Sequence, residues 1–172
     1  MTNDVSTADL TSTAAIQWDI IPIVEALELD KTDKPVGKAL TELDNLTARL
    51  KGRAYAEIIG DITVSLEPDV AEPKILTVCA IPNSTTATSA PGTRQNMIAC
   101  GGVTLMALTS VAPVPKQLTL LPGISKILKG ADSTATVLIG SPPRIYYMGP
   151  SKCILRVSYN VKIHGVDWIK PF

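Results

Sequence analysis

The sequence predicts an all-β protein, a single β-sandwich or barrel with one or two short helices in its loops. Three observations carry this. Short apolar runs recur at Lys74–Ile81, Gln95–Cys100, Lys116–Leu121, Thr134–Ile139 and Cys153–His164. Turn-forming clusters separate them: Pro82-Asn83-Ser84, Gly101-Gly102, Pro122-Gly123 and Pro142-Pro143. The closing run alternates strictly, with Leu155, Val157, Tyr159, Val161 and Ile163 on one side and Arg156, Ser158, Asn160, Lys162 and His164 on the other. Period-two alternation places one face on a packed core and the other on something polar. Short strands spaced by Pro and Gly are the pattern of all-β domains.

The elements follow in order. Ile16–Leu29 reads as the first strand, and Pro22 inside it argues for an edge position or a bulge, because proline cannot donate to a central ladder. Asp30–Gly37 is a polar, Pro-containing turn. Leu40, Leu43, Leu46 and Leu50 recur at helical spacing and draw one apolar stripe. Thr41 and Asp44 resemble a capping box, and Gly52 stands where a helix stops. The stripe is expected to cover a sheet edge or end. Asp61–Pro68 alternates again, with Ile62, Val64 and Leu66 on one side. Lys74–Ile81 is nearly continuous in apolar residues, so it is expected to be buried on both faces. Asn83–Thr93 is a Ser/Thr-rich loop, and Gly123–Ser133 separates two strands with a helical turn around Ile124, Ile127 and Leu128. The total is about eight strands without internal repeat.

At 172 residues the chain suits one domain with a sizeable core. Hydrophobic residues make up 45% and aromatic ones only 4%, so the core is aliphatic. Charged residues make up 19%, low against the usual quarter. Either other subunits cover part of the apolar surface, or one greasy domain leaves it wet. Sixteen basic residues balance sixteen acidic ones, which provides no global field for nucleic acid. No Lys or Arg precedes Lys31, which excludes a basic N-terminal arm. Met1–Ala14 reads as a polar, acidic tail, and residues 15–172 as the folded domain. No apolar run reaches transmembrane length and no leader pattern opens the chain, so neither a membrane span nor classical secretion is expected.

Catalytic chemistry finds little support. Cys79, Cys100 and Cys153 are widely spaced, form no C-x-x-C pair, and read as core thiols. No carboxylate occurs between Pro73 and Gly130, which leaves a paired-carboxylate site without residues on the core strands. His164 is the single histidine and has no nucleophile motif beside it. Neither a catalytic residue, a metal nor a cofactor is expected. What remains is the polar face of the last strand: Arg156, Lys162 and His164 as candidate contacts to phosphate or to a neighbouring subunit. Solvated charges on an outer face explain them equally well.

The order of segments also resembles the coat proteins of tymovirus-type small icosahedral plant viruses. The resemblance runs from about Ile16 to Gly165, through LTELDNLTARLKGRAYAEIIGDITVSLEP, VCAIPNS, MIACGGV, KQLTLLP and ILRVSYNVKIHG, whose histidine falls where that family has a similar one. The tail departs from the family in being poorer in Pro and more acidic, and Val166–Phe172 has no obvious counterpart. The resemblance implies an eight-stranded jelly roll that self-assembles into an icosahedral shell, a virion location, and single-stranded RNA enclosed weakly and without sequence specificity. The rival reading is a jelly-roll binding module for carbohydrate or protein, for which the supply of aromatic side chains is thin. An enzyme on a β-sandwich is the third.

Overall fold

The computed structural model describes residues 20–51, 55–69, 71–82, 90–109, 111–120, 124–129 and 142–164. Nine strands lie among them: β1 (Ile20–Leu29), β2 (Val36–Ala39), β3 (Tyr55–Leu66), β4 (Lys74–Pro82), β5 (Val103–Ala107), β6 (Lys116–Leu118), β7 (Ile127–Leu128), β8 (Pro143–Met148) and β9 (Cys153–His164). A 3-10 turn over Leu40–Glu42 and two helices, α1 (Asp44–Leu50) and α2 (Arg94–Ala99), fill the connections.

Antiparallel pairing joins the chain end to end: β1 with β9, β2 with β8, β3 with β6, and β4 with β5. This is one long hairpin folded about its middle. Rolling it brings β9 beside β3 and β8 beside β4. Two antiparallel sheets result, ordered β1-β9-β3-β6 and β2-β8-β4-β5, and together they make an eight-stranded jelly roll. The ninth strand, β7, pairs with Ala56 and Glu57 at the start of β3, on the same flank that β6 occupies further along. Between the two, β3 bulges: Ile59 opposes Asn160, and the next pair is Thr63 with Ser158. Gly60 sits in the bulge at φ 76°, a conformation glycine enters without a Cβ penalty.

Period-two burial runs along β9 without a break. Its inward row of Leu155, Val157, Tyr159, Val161 and Ile163 meets Ile58, Ile62, Val64 and Leu66 of β3 and Leu76 and Val78 of β4 in one core. At roughly 2 kcal/mol for each buried side chain of this kind, that row alone contributes about 10 kcal/mol before chain entropy is counted. Lys74–Ile81 is buried on both faces as expected. Leu76, Val78 and Ala80 join the main core, while Cys79 and Ile81 lie on the other side beneath Met97 of α2.

The four leucines of the stripe are buried as expected, but not on one helix: Leu40 lies in the 3-10 turn, Leu43 is extended, and only Leu46 and Leu50 lie on α1. Its start differs from the expected capping box. Helix α1 begins at Asp44, and its N-cap, Leu43, has no side chain to offer. The orphan amides of Asn45 and Leu46 donate instead to the two carboxylate oxygens of Glu25 on β1, each at 2.9 Å. Glu25 is only 3% exposed. A buried carboxylate is tolerable here because two backbone donors and the positive end of the helix replace its water. Asn45 Nδ2 also donates to the Val24 carbonyl. With Pro22, which occupies an edge strand as its type requires, this contact blunts the free edge of β1.

Three further expectations are corrected. Gln95–Cys100 lies not in a strand but largely in α2: Thr93 Oγ1 accepts from the Asn96 amide at 3.1 Å, and the turn closes as the Gly102 amide donates to the Met97 carbonyl at 3.0 Å. A six-residue apolar run has no resolvable period, so the flanking Thr93 and Gly101-Gly102 decide. Gly101 has φ 84°, and a Cβ at Gly102 would lie 2.5 Å from the Met97 carbonyl. Ile127 and Leu128 form β7 rather than a helical turn, because Leu128 fills the core beside Ala56. The polar turn after β1 ends at Pro35, and Val36 already belongs to β2. Strands β5 and β8 are additions to the apolar runs read from sequence. Met1–Ala14, Trp18, Gly52 and Thr134–Ile139 lie outside the described residues.

Replacing Glu25 by Ala leaves two buried amides without acceptors. We expect Glu25→Ala to lose about 2–3 kcal/mol of unfolding free energy in urea titrations, with Glu25→Gln losing less.

Candidate functional site

The outward row of β9 brings the candidate residues onto one face of the first sheet. Neighbouring outward residues on a strand stand about 7 Å apart, so Lys162 and His164 are adjacent, while Arg156 lies roughly 20 Å from Lys162. Arg156 is flanked in register by Ala26 of β1 and Ser65 of β3, and Lys162 by Ile20 and Glu57. The three therefore share a face but not a pocket.

Two of the three side chains, Arg156 and His164, have a carboxylate nearby on or beside β3. Arg156 Nη2 lies 2.8 Å from Glu67 Oε1 in an exposed pair. His164 Nε2 lies 3.5 Å from Glu57 Oε2, and its ring stacks on Tyr55 with centroids 4.7 Å apart and planes at 12°. That nitrogen is buried and has no hydrogen-bond partner among the described residues. Lys162 stands opposite Glu57 but makes no ion pair among the described residues. Thr63, Ser158, Asn160 and Asp61 line a shallow hollow in the same face, opened by the β3 bulge. Sequence reasoning missed Tyr55, Glu57 and Glu67. The signal was present, since Tyr55-Ala56-Glu57-Ile58 alternates as the later part of β3 does.

A second polar cluster lies beyond Arg156, at the end of the sheet away from His164, in a cleft of about 570 Å³ lined by residues including Glu28, Glu67, Asp69, Lys74 and Lys152. Lys74 is 7% exposed and salt-bridged to Glu72 at 2.7 Å and Asp69 at 3.4 Å. The hydrogen bond to Glu72 holds the ammonium above the ordinary lysine value, and the Ala71 amide holds the Asp69 carboxyl below its own. Lys74 thus sits between carboxylates as their internal counter-ion. Among the described residues no three His, Cys, Asp or Glu side chains converge as metal ligands, and no helix is long and apolar enough to cross a membrane.

Two of the thiols, Cys79 and Cys153, are shifted away from reactivity. Burial pushes Cys79 up to about 12, with Cys100 adding to the shift, and burial raises Cys153 as well. A nucleophilic cysteine needs the opposite displacement. The tyrosines also make a poor sugar platform: Tyr147 and Tyr159 are buried, Tyr55 is stacked on His164, and Tyr146 lies under Arg144. Burial raises Tyr147 and Tyr159 too. For all four groups the unfolded chain ionises first, so stability is full below the unfolded thiol value of 9.0 and falls as pH rises toward 12. Urea midpoints are expected to hold steady from pH 7 to 8.5 and to drop steeply beyond about 9.5, with Cys79→Ala reducing the slope.

No protein-family model matches the chain, and no curated protein matches its sequence. Solved structures do match its fold. A chain of turnip yellow mosaic virus superposes with a TM-score of 0.56 at 18% identity, covering 86% of this chain and 94% of that one. A chain of desmodium yellow mottle tymovirus gives 0.53 at 14%, covering 86% and 88%. A chain of sacbrood virus of honeybee gives 0.53 at 11%, covering 86% and 87%. The chain has the jelly-roll fold found in these virus particles.

Proposed function

We propose that the chain is the coat protein of a small icosahedral RNA virus, a subunit that self-assembles into the shell of the virion. The supporting observation is the complete jelly-roll topology, matched over 86% of the chain by chains of virus particles. In this reading the work is mechanical and no chemical step is involved. Apolar surface is buried between copies, residues 15–172 form the shell domain, and residues 1–14 are a polar tail outside it. No observation favours the carbohydrate- or protein-binding module.

RNA is held weakly and without sequence specificity, with the outward face of the first sheet turned toward it. Arg156 is paired with Glu67, and His164 is stacked on Tyr55 with its Nε2 buried, so Lys162 carries most of the phosphate contact on that row. Glu28, Glu57, Asp61 and Glu67 on or beside the same face keep its field low.

Two experiments test this. Purified recombinant protein is expected to form closed, uniform particles in negative-stain micrographs and sedimentation velocity; a species that stays monomeric at every concentration, salt and pH refutes the coat-protein reading. For RNA, anisotropy titrations of a short single strand against dissociated subunits are expected to lose about 0.7 from the slope of log affinity against log salt on Lys162→Ala. An unchanged slope removes Lys162 from the contact and leaves the shell reading standing.

A further inference from the structure

The two sides of the sandwich are finished differently. On the side of β1 and β2, the 3-10 turn and α1 bridge the sheets and bury their leucines, with Glu25 fastening the helix in place. On the side of β5 and β6 the strands touch directly, and Lys116 Nζ donates to the Thr104 carbonyl at 2.8 Å. There β5 and the segment after it turn apolar side chains outward: Met106 of β5 is 60% exposed, Leu108 43%, Val111 52% and Val114 64%. These four line one groove with Thr104, Ala112 and Lys116.

We propose that this groove is a contact surface for a second copy of the same chain; the proposal rests on the coat-protein reading and names one of its contacts. Three features of the groove select that occupant. Its lining is apolar apart from Thr104 and Lys116, and the Lys116 ammonium is held at the rim by the Thr104 carbonyl, so the surface that fits it is apolar. No carboxylate occurs between Pro73 and Gly130, so copies meeting through this stretch encounter no repulsion between acidic groups. Pro113 and Pro115 flank Val114 and restrict the backbone in advance, which lowers the entropy lost on docking.

Area then sets the kind of association. Four side chains exposed to this degree offer on the order of 400 Å², about half of what one partner contributes to a stable pair. One such contact does not hold a dimer in dilute solution. It holds where each copy is gripped by several neighbours at once, as in a closed symmetric assembly. Association through this groove is therefore steeply concentration-dependent and little weakened by sodium chloride, since no exposed ion pair is involved.

The test uses the full chain and two variants, Met106→Lys and Val114→Asp, both at exposed positions. Each is expected to raise the protein concentration needed for particle formation about tenfold or more, with urea midpoint and circular dichroism unchanged. Hydrogen exchange on the wild type gives a readout independent of the variants: amides of residues 104–112 should gain protection in particles over subunits. Variants that assemble like the wild type, or a segment that gains no protection, overturn the groove contact while the coat-protein reading survives. A wild type that never assembles overturns both. Monomers that bind liposomes through this segment, in place of one another, assign the groove to lipid and overturn the proposal.

Discussion

The register of β9 is the constraint on which the rest of the molecule depends. It pairs with β1 over ten residues and with most of β3, so β1 is joined to the rest of the first sheet only once β9 is in place. Shifting it by one residue would put Arg156, Lys162 and His164 into the core and expose Leu155, Val157, Tyr159, Val161 and Ile163. Burial of that row therefore fixes two things at once, the packing of the sandwich and the chemistry of its outer face. Such pairing is also remote in sequence, and loop closure must precede the gain from burial, so folding of this topology is intrinsically slow.

How much of this was legible in the sequence depends on how local the deciding interaction is. The alternation of β9 and the leucine stripe that runs into α1 are repeated within a short window; the strand read correctly, and so did the burial of the leucines, though not the break at Leu43. Pro22 read correctly because its missing donor is a property of the residue itself. Gln95–Cys100 read wrongly because six mostly apolar residues fit strand and helix alike, and the arbiter was Thr93 just outside the run. The cap of α1 was illegible for a different reason. Glu25 lies twenty residues before the amides it accepts from, and nothing local marks a carboxylate on a strand as a helix cap.

The candidate site shows the same division. That Arg156, Lys162 and His164 share a face follows from a period of two and was visible at once. That Arg156 and His164 are matched by Glu67 and Glu57 required knowing that β3 lies beside β9, a pairing between segments some ninety residues apart. The counter-ions change the meaning of the row. A face that looks cationic in one strand is close to neutral once its neighbour is added, and exposed pairs of this kind contribute little to stability.

That near-neutrality bears on where the free energy of a shell would come from. A coat protein with a basic arm gains assembly energy from releasing the counter-ions of its nucleic acid. Here sixteen basic residues balance sixteen acidic ones, and the row with the candidate RNA contacts is largely paired within the subunit. Neutralising phosphate can supply little. The remaining source is apolar area, and the fold exposes it in patches: Ile20, Val24 and Val36 on β1 and β2, and on the other side the more exposed cluster of Met106, Leu108, Val111 and Val114, which share one groove. Protein contacts rather than RNA would then set the stability of the particle, and the cap that Glu25 places on α1 bears on assembly because it keeps Leu46 and Leu50 buried inside the subunit.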